Sequence, residues 1–363
     1  MRKIGSLEGI RTIGCICVLL CHFRLCFLPG ESFWLVDSTP LKILTNGNTA
    51  VRILFVLSGF VVSYKYFITE EYERVPWDIL KRYFRLAPPV VVANILVYFM
   101  MRLGLLYNVQ AAEASGSLDL GLYNRFEPQI ALCLKEAFIT CFFHGSHEYI
   151  GPLWTMVYEY LGVLLILGVV AVCKGNSLLR YLFYLVFLGV FSSYYNYFVL
   201  GMFLCDIYTV QGEDDINRKL REHKWLNMAV FVIGSLIVCM FDVDDEVKVA
   251  RVLFAAGLMM MFLGLLHSGW GERVLGNRAM RAGGKLSYAV YIVHFPVMES
   301  FSSACYLWIT GLGGNRYFSA LAVLAMSLPV ILGVAYLFYR YVERIGKGAV
   351  DYISAYGMPY AGK

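Results

Sequence analysis

Long apolar runs dominate the chain, and its polar residues fall in short clusters between them. A bilayer core of about 30 Å takes roughly 17–25 apolar residues in helical form, because no water is present there to satisfy the backbone. Runs of about that size lie near 10–28, 49–68, 88–106, 153–173, 178–192, 194–210, 226–241, 249–267, 286–309 and 318–340. The pattern predicts an all-α fold, a polytopic membrane helical bundle of about ten transmembrane helices. It is expected to form a single membrane-embedded domain over 1–345 with a short cytoplasmic tail at 346–363. The first run follows Arg2 and Lys3 as a leader would, but it carries His22 and Arg24 and has no small-x-small cleavage site before Pro29, so it is expected to remain in the mature protein.

Basic residues set the orientation. The loops on one side, with both termini, hold 21 Lys and Arg, whereas the opposite loops hold five: Lys42, Arg125, Lys135, Lys248 and Arg316. The positive-inside rule then puts both termini in the cytoplasm. The same rule divides the stretch 181–205 into a hairpin, because Lys174 and Arg180 precede it and Arg218, Lys219, Arg221 and Lys224 follow it. The segment from Gln129 to Phe143 is apolar but short and carries Lys135 and Glu136 in its middle. A crossing there would invert every later loop, so it is expected to be a re-entrant or interfacial helix.

Composition sharpens the class. Hydrophobic residues make up 59% and charged residues 16%, against about 45–50% and 25% in soluble domains. A soluble enzyme and a disordered chain are both excluded. The net charge of +5 is too modest to predict a nucleic-acid partner; the expected surroundings are the lipid bilayer, with plasma membrane and endomembrane not distinguished. The ten cysteines form no CxxC pair and lie mostly in apolar runs, so they read as small hydrophobes. No Asn-x-Ser/Thr sequon occurs.

Ionisable residues inside a bilayer are costly unless paired or hydrated, which makes His22, Arg24, Glu159 and His294 the informative side chains. Eleven residues separate Arg11 from His22, about three helical turns, so the two share one face with His22 about 16 Å deeper. Glu8 is spaced to pair with Arg11. Glu159 lies at a depth similar to that of His22, and a carboxylate bonded to one imidazole nitrogen would leave the other free as a base. Ser287, Tyr288, Tyr291 and His294 form an array whose three-residue spacing keeps the last three adjacent. Lys81, Arg82 and Arg85 precede Pro88-Pro89 and make a phosphate-sized cationic site on an interfacial turn, equally consistent with contact to anionic lipid. Trp154 and Tyr158 also suit interfacial anchoring, and His22 alone would serve equally as interhelical glue. His144 and His147 make a weak metal pair without further ligands, so no metal is expected.

Six blocks in order resemble the acyltransferase type three family of multi-pass membrane O-acyltransferases. They are Leu7-Glu8-Gly9-Ile10-Arg11 with His22, Leu54 to Phe60, Arg82 to Pro88, Leu153-Trp154 with Glu159, Ser287-Tyr288 through Tyr291, His294 and Pro296, and Tyr341-Val342-Glu343-Arg344. The resemblance spans almost the whole chain. It implies transfer of an acyl group, usually acetyl, from acyl-CoA to a hydroxyl of a glycan, lipid or secreted small molecule, with His22 and Arg11 as the functional pair. Acyl-CoA would be a co-substrate, with no bound cofactor. Lys81 stands where the family has an arginine, and Pro152 where many members have a polar residue. The expected mechanism puts CoA phosphates at Lys81, Arg82 and Arg85, His22 as general base oriented by Glu159 or another carboxylate, and Ser58, Tyr288 and Tyr291 as donors to the developing oxyanion. An acyl-histidine intermediate is an alternative route. His294 would line the thioester channel or support Tyr291. A proton-coupled transporter using His22 and Glu159, with Arg24 as a gate, and a non-catalytic scaffold are the alternatives from other classes.

Overall fold

The computed structural model describes residues 4–31, 40–210, 223–241 and 248–356. Arg2, Lys3, Arg218, Lys219, Arg221 and the last part of the expected tail, 357–363, lie outside the described residues. All regular elements among the described residues are helical. In chain order they include α1 (Gly5–Phe27), α2 (Gly47–Thr69), α3 (Val75–Arg102), α4 (Asn108–Ser115), α5 (Ile130–Lys135), α6 (Met156–Cys173), α7 (Ser177–Val190), α8 (Tyr195–Val210), α9 (Lys224–Met240), α10 (Lys248–Leu266), α11 (Arg278–Val297), α12 (Ser303–Gly311), α13 (Arg316–Leu337) and α14 (Glu343–Tyr356).

Each predicted apolar run coincides with helix, but six described helices are long and apolar enough to cross a membrane: α1, α2, Tyr72–Arg102, Gly151–Cys173, α10 and Arg316–Ala355. Helices α7 and α9 are apolar but shorter. Helix α11 opens with Arg278, Arg281 and Lys285 and passes through a wide i-to-i+5 turn, Met298–Ser302, into α12, which divides the apolar length between two elements. Helix α3 begins well before the predicted run at 88. The cationic block expected on an interfacial turn is therefore helical. Pro88 and Pro89 lie inside that helix, and because they lack N–H groups the carbonyls of Phe84 and Arg85 lose their usual donors. Gly346 of α14 lies against those carbonyls; a Cβ there would be 3.1 and 2.9 Å from their oxygens.

The chain divides into two compact units. The first comprises Met1–Val18, Ser32–Val75 and Gly162–Lys285. Its core includes Val56, Leu57, Phe60, Leu204, Phe254, Leu258 and Phe262, all buried. Helices α2 and α8 approach most closely where glycine removes a side chain: a Cβ on Gly59 would stand 2.0 Å from the Phe198 carbonyl oxygen, and one on Gly201 2.0 Å from that of Val56. Small residues permit such backbone approach in membrane helices. The break at residues 191–194 separates α7 from α8. Arg180, near the start of α7, donates to Asp206, near the end of α8, through Nε (2.8 Å) and Nη2 (2.9 Å), so the two helices run antiparallel as the hairpin reading requires. The Glu272 carboxylate accepts from the Gly5 and Ser6 N–H groups at 3.2 and 2.9 Å, capping donors that the first turn of α1 cannot satisfy itself.

The second unit comprises Leu19–Glu31, Pro76–Leu161 and Leu286–Lys363. The hydroxyls of Ser115 and Ser117 donate to the Cys26 and Leu25 carbonyls, closing the C-terminal end of α1. The segment expected to be re-entrant or interfacial is α5 followed by a wide turn, Glu136–Thr140. Its two charges point apart. Lys135 is exposed, whereas Glu136 is buried and accepts from the Ser146 hydroxyl (3.0 Å) and the N–H groups of Glu148 and Tyr149 (3.1 and 3.2 Å). Burial pushes the Glu136 carboxyl above its ordinary pKa, against the opposing pull of those three donors.

Candidate active site

The second unit's polar centre is built from α1, α11 and the residues leading into α6. His22 Nδ1 lies 3.0 Å from His294 Nε2, and the two rings stack with centroids 5.1 Å apart. His294 is 1% exposed and its Nδ1 is 3.1 Å from the carbonyl oxygen of Val290, one turn earlier on α11. His22 is half-buried. The Phe295 ring meets the edge of His22 at 5.6 Å, and Tyr123 meets Phe295 at 5.3 Å, so aromatic surface lines this side of the pair.

The carboxylate expected to orient His22 is engaged elsewhere: Glu159 forms an ion pair with Arg82. Matching depth along two helices does not fix which way each side chain faces, and the guanidinium on α3 meets the carboxylate on α6. An imidazole supplies the bond to His22 instead. Lys81 pairs with Asp78 on its own helix at 3.7 Å, and Arg85 is exposed. Lys81 and Arg82, expected at CoA phosphates, therefore already have carboxylate partners. Beside them runs an open groove of about 620 Å³ lined by Trp77, Leu80, Tyr83, Phe84, Phe138 and Tyr160, among other apolar residues.

The hydroxyls expected to serve an oxyanion have other bonds. Tyr288 donates to the Leu86 carbonyl at 2.9 Å. Tyr291 donates to the Pro152 carbonyl, so the Thr155 hydroxyl donates to Tyr291 in turn. A tyrosine has one hydroxyl hydrogen, so either could serve an oxyanion only by breaking its present bond. The Tyr291 ring lies 6.0 Å from that of His294, and Trp154 meets Tyr158 edge-on at 5.9 Å. Ser287 lies in the same unit, half-buried. Arg11 and Ser58 belong to the first unit; Arg11 pairs with Glu8 at 3.1 Å. The His147 ring bonds to the Gly145 carbonyl at 2.7 Å, and no group of three His, Cys, Asp or Glu suited to a metal occurs among the described residues.

Comparison with known proteins decides the class. Residues 4–340 match a family model described as an acyltransferase domain. The chain belongs to the acyltransferase type three family. An O-acetyltransferase of Phomopsis amygdali, PaAT-1, is 23% identical to it over 418 aligned residues, covering 94% of this chain and 83% of that protein. No solved structure matches. The protein is therefore a membrane O-acyltransferase, an enzyme acting between an acyl donor and a hydroxyl acceptor, and the transporter and scaffold readings fall.

The acyltransferase also holds buried polar groups absent from the expected set. Glu299, on the wide turn five residues after His294, is fully buried; its Oε1 accepts from the Asn124 side chain at 2.9 Å, and its Oε2 has no hydrogen-bond partner among the described residues. The sequence signal was present, a carboxyl inside the ninth apolar run. In the first unit Asp206 is likewise fully buried, bonded to Arg180 and to the Tyr184 hydroxyl at 2.9 Å. Arg180 had read as a cytoplasmic loop cation.

Proposed function

We propose that this acyltransferase crosses the membrane about ten times with both termini in the cytoplasm, and moves an acetyl group from cytoplasmic acetyl-CoA to a hydroxyl of a glycan, lipid or secreted small molecule. His22 is the general base. It takes the hydroxyl proton as the oxygen attacks the thioester carbonyl; the tetrahedral intermediate collapses with cleavage of the C–S bond, and the proton passes from His22 to the departing CoA sulfur. The observation that carries this reading is the half-buried His22 ring, held by the fully buried His294 in the chain's second unit. The similarity to a fungal O-acetyltransferase supports acetyl as the group transferred.

The α3 cations are the proposed phosphate site, with the exposed Arg85 and the half-buried Lys81 meeting CoA and Arg82 anchored by Glu159. Arg11 assists at the cytoplasmic side, and Trp154 lies toward the acceptor. The test uses the full chain in lipid vesicles with acetyl-CoA and an extract of glycans, lipids and metabolites. Release of CoA thiol together with acetylated product is expected from wild type and not from His22→Ala. Equal release from both would overturn the role of His22, and no release with any extract would overturn acetyl-CoA as donor.

A further inference from the structure

The hydrogen bonds around the two imidazoles determine where their protons sit. Each ring nitrogen of His294 has a neighbour. Nδ1 faces the Val290 carbonyl oxygen at 3.1 Å, and a carbonyl oxygen only accepts, so Nδ1 carries hydrogen. In a neutral imidazole the other nitrogen then holds the lone pair, so His294 Nε2 is an acceptor. The atom 3.0 Å from it is His22 Nδ1, which must therefore be the donor. With its hydrogen on Nδ1, neutral His22 has its lone pair on Nε2. The opposite arrangement, in which His294 donates from Nε2, sets lone pair against lone pair at Val290 unless that ring carries an extra proton. No carboxylate hydrogen-bonds to the ring among the described residues.

Exposure separates the roles of the two rings. His294 is 1% exposed, so no substrate reaches it in this arrangement, whereas His22 retains accessible surface. Resting on the proposed role of His22 as the base, we infer that His294 is a positioning residue that holds His22 in the Nδ1–H tautomer, with Nε2 as the atom that receives the acceptor's proton. The chain of donors runs from His22 through His294 to a main-chain oxygen. An imidazole and a backbone carbonyl thus do what a carboxylate does in other histidine bases, fixing tautomer and ring direction together. No added negative charge is needed inside the unit.

The test is nitrogen-15 NMR of the full chain in lipid vesicles with [15N]histidine, the His22 signals being identified by their loss in His22→Ala. In wild type His22 is expected to show a protonated Nδ1 and an unprotonated Nε2. In His294→Leu that signature is expected to give way to a mixture of tautomers, and in His294→Glu, whose carboxylate can accept from Nδ1–H, to return. Turnover with acetyl-CoA and the acceptor extract should follow: kcat falls about 10²-fold in His294→Leu and recovers to within about tenfold of wild type in His294→Glu, with KM for acetyl-CoA unchanged. A residue that merely packed would give the opposite ranking, with the apolar leucine tolerated and the carboxylate not. A hydrogen on Nε2 of wild-type His22, or a spectrum insensitive to residue 294, would overturn the assignment alone. Full activity in His22→Ala would overturn it together with the proposed base. Should His294→Leu fail to fold, the wild-type spectrum still decides.

Discussion

The Asp206 centre of the first unit and the His22 centre of the second bury their polar groups in opposite ways. In the first, the Asp206 carboxylate takes two hydrogen bonds from Arg180 and one from the Tyr184 hydroxyl, a closed set in which ion and counter-ion sit together. In the second, His22 has one bonded partner and remaining surface, and buried Glu299 has an oxygen without one among the described residues. Saturated buried networks hold helices in place, whereas groups with unused hydrogen-bonding capacity are available to a ligand. Under the proposed mechanism the first centre is structural and the second carries the chemistry.

The strongest way to break that contrast is to remove a side chain from each centre. His22→Ala is expected to lower transfer by about 10²–10⁴-fold, the usual worth of a general base, with thermal unfolding little changed. Asp206→Ala should do the reverse: leaving Arg180 buried and unpaired costs about 3–5 kcal/mol, seen as a lower unfolding temperature, while kcat per folded molecule stays near wild type. Comparable activity losses in the two variants would erase the distinction. Next in size is Gly59→Ala, whose methyl would meet the Phe198 carbonyl at 2.0 Å and force α2 from α8; a destabilisation of about 1–3 kcal/mol is expected by thermal unfolding.

Smaller effects sharpen the picture. Arg85→Ala should raise KM for acetyl-CoA about tenfold with kcat retained, the scale of one charge-assisted hydrogen bond. An unchanged KM would remove α3 from the phosphate site. Glu136 supplies the smallest effect and has a definite sign. Because burial holds its folded-state pKa above the unfolded one, the folded state binds more proton, so its contribution is fully present below the ordinary carboxylate range and is lost as pH rises toward the raised value. Unfolding temperature should therefore fall slightly with rising pH across that window, and Glu136→Gln should flatten the slope.

How far the sequence foretold the site depends on the kind of relation asked of it. His22 and His294 stand out in the sequence because a titratable ring in an apolar run is expensive, but their contact joins residues 272 apart in sequence, beyond the reach of any periodicity. Glu159 shows the limit of depth matching, since height along a helix says nothing of azimuth. Lys135 and Glu136 were legible as an interruption, yet their division into one exposed and one buried charge depends on the turn that follows them. Arg180 entered the orientation count as a loop cation, but a charge tally treats every loop cation as solvated and so missed Asp206. The helices themselves were legible because apolar length and charged breaks are local properties. Their ends were less so, as the early start of α3 and the division of the ninth run between α11 and α12 show.

The most direct test of the account follows CoA thiol and acetylated product together in vesicles containing wild type or His22→Ala, with acetyl-CoA outside and the acceptor extract present. The account predicts one product per thiol from wild type and neither above background from the variant. Equal product from both proteins would contradict it.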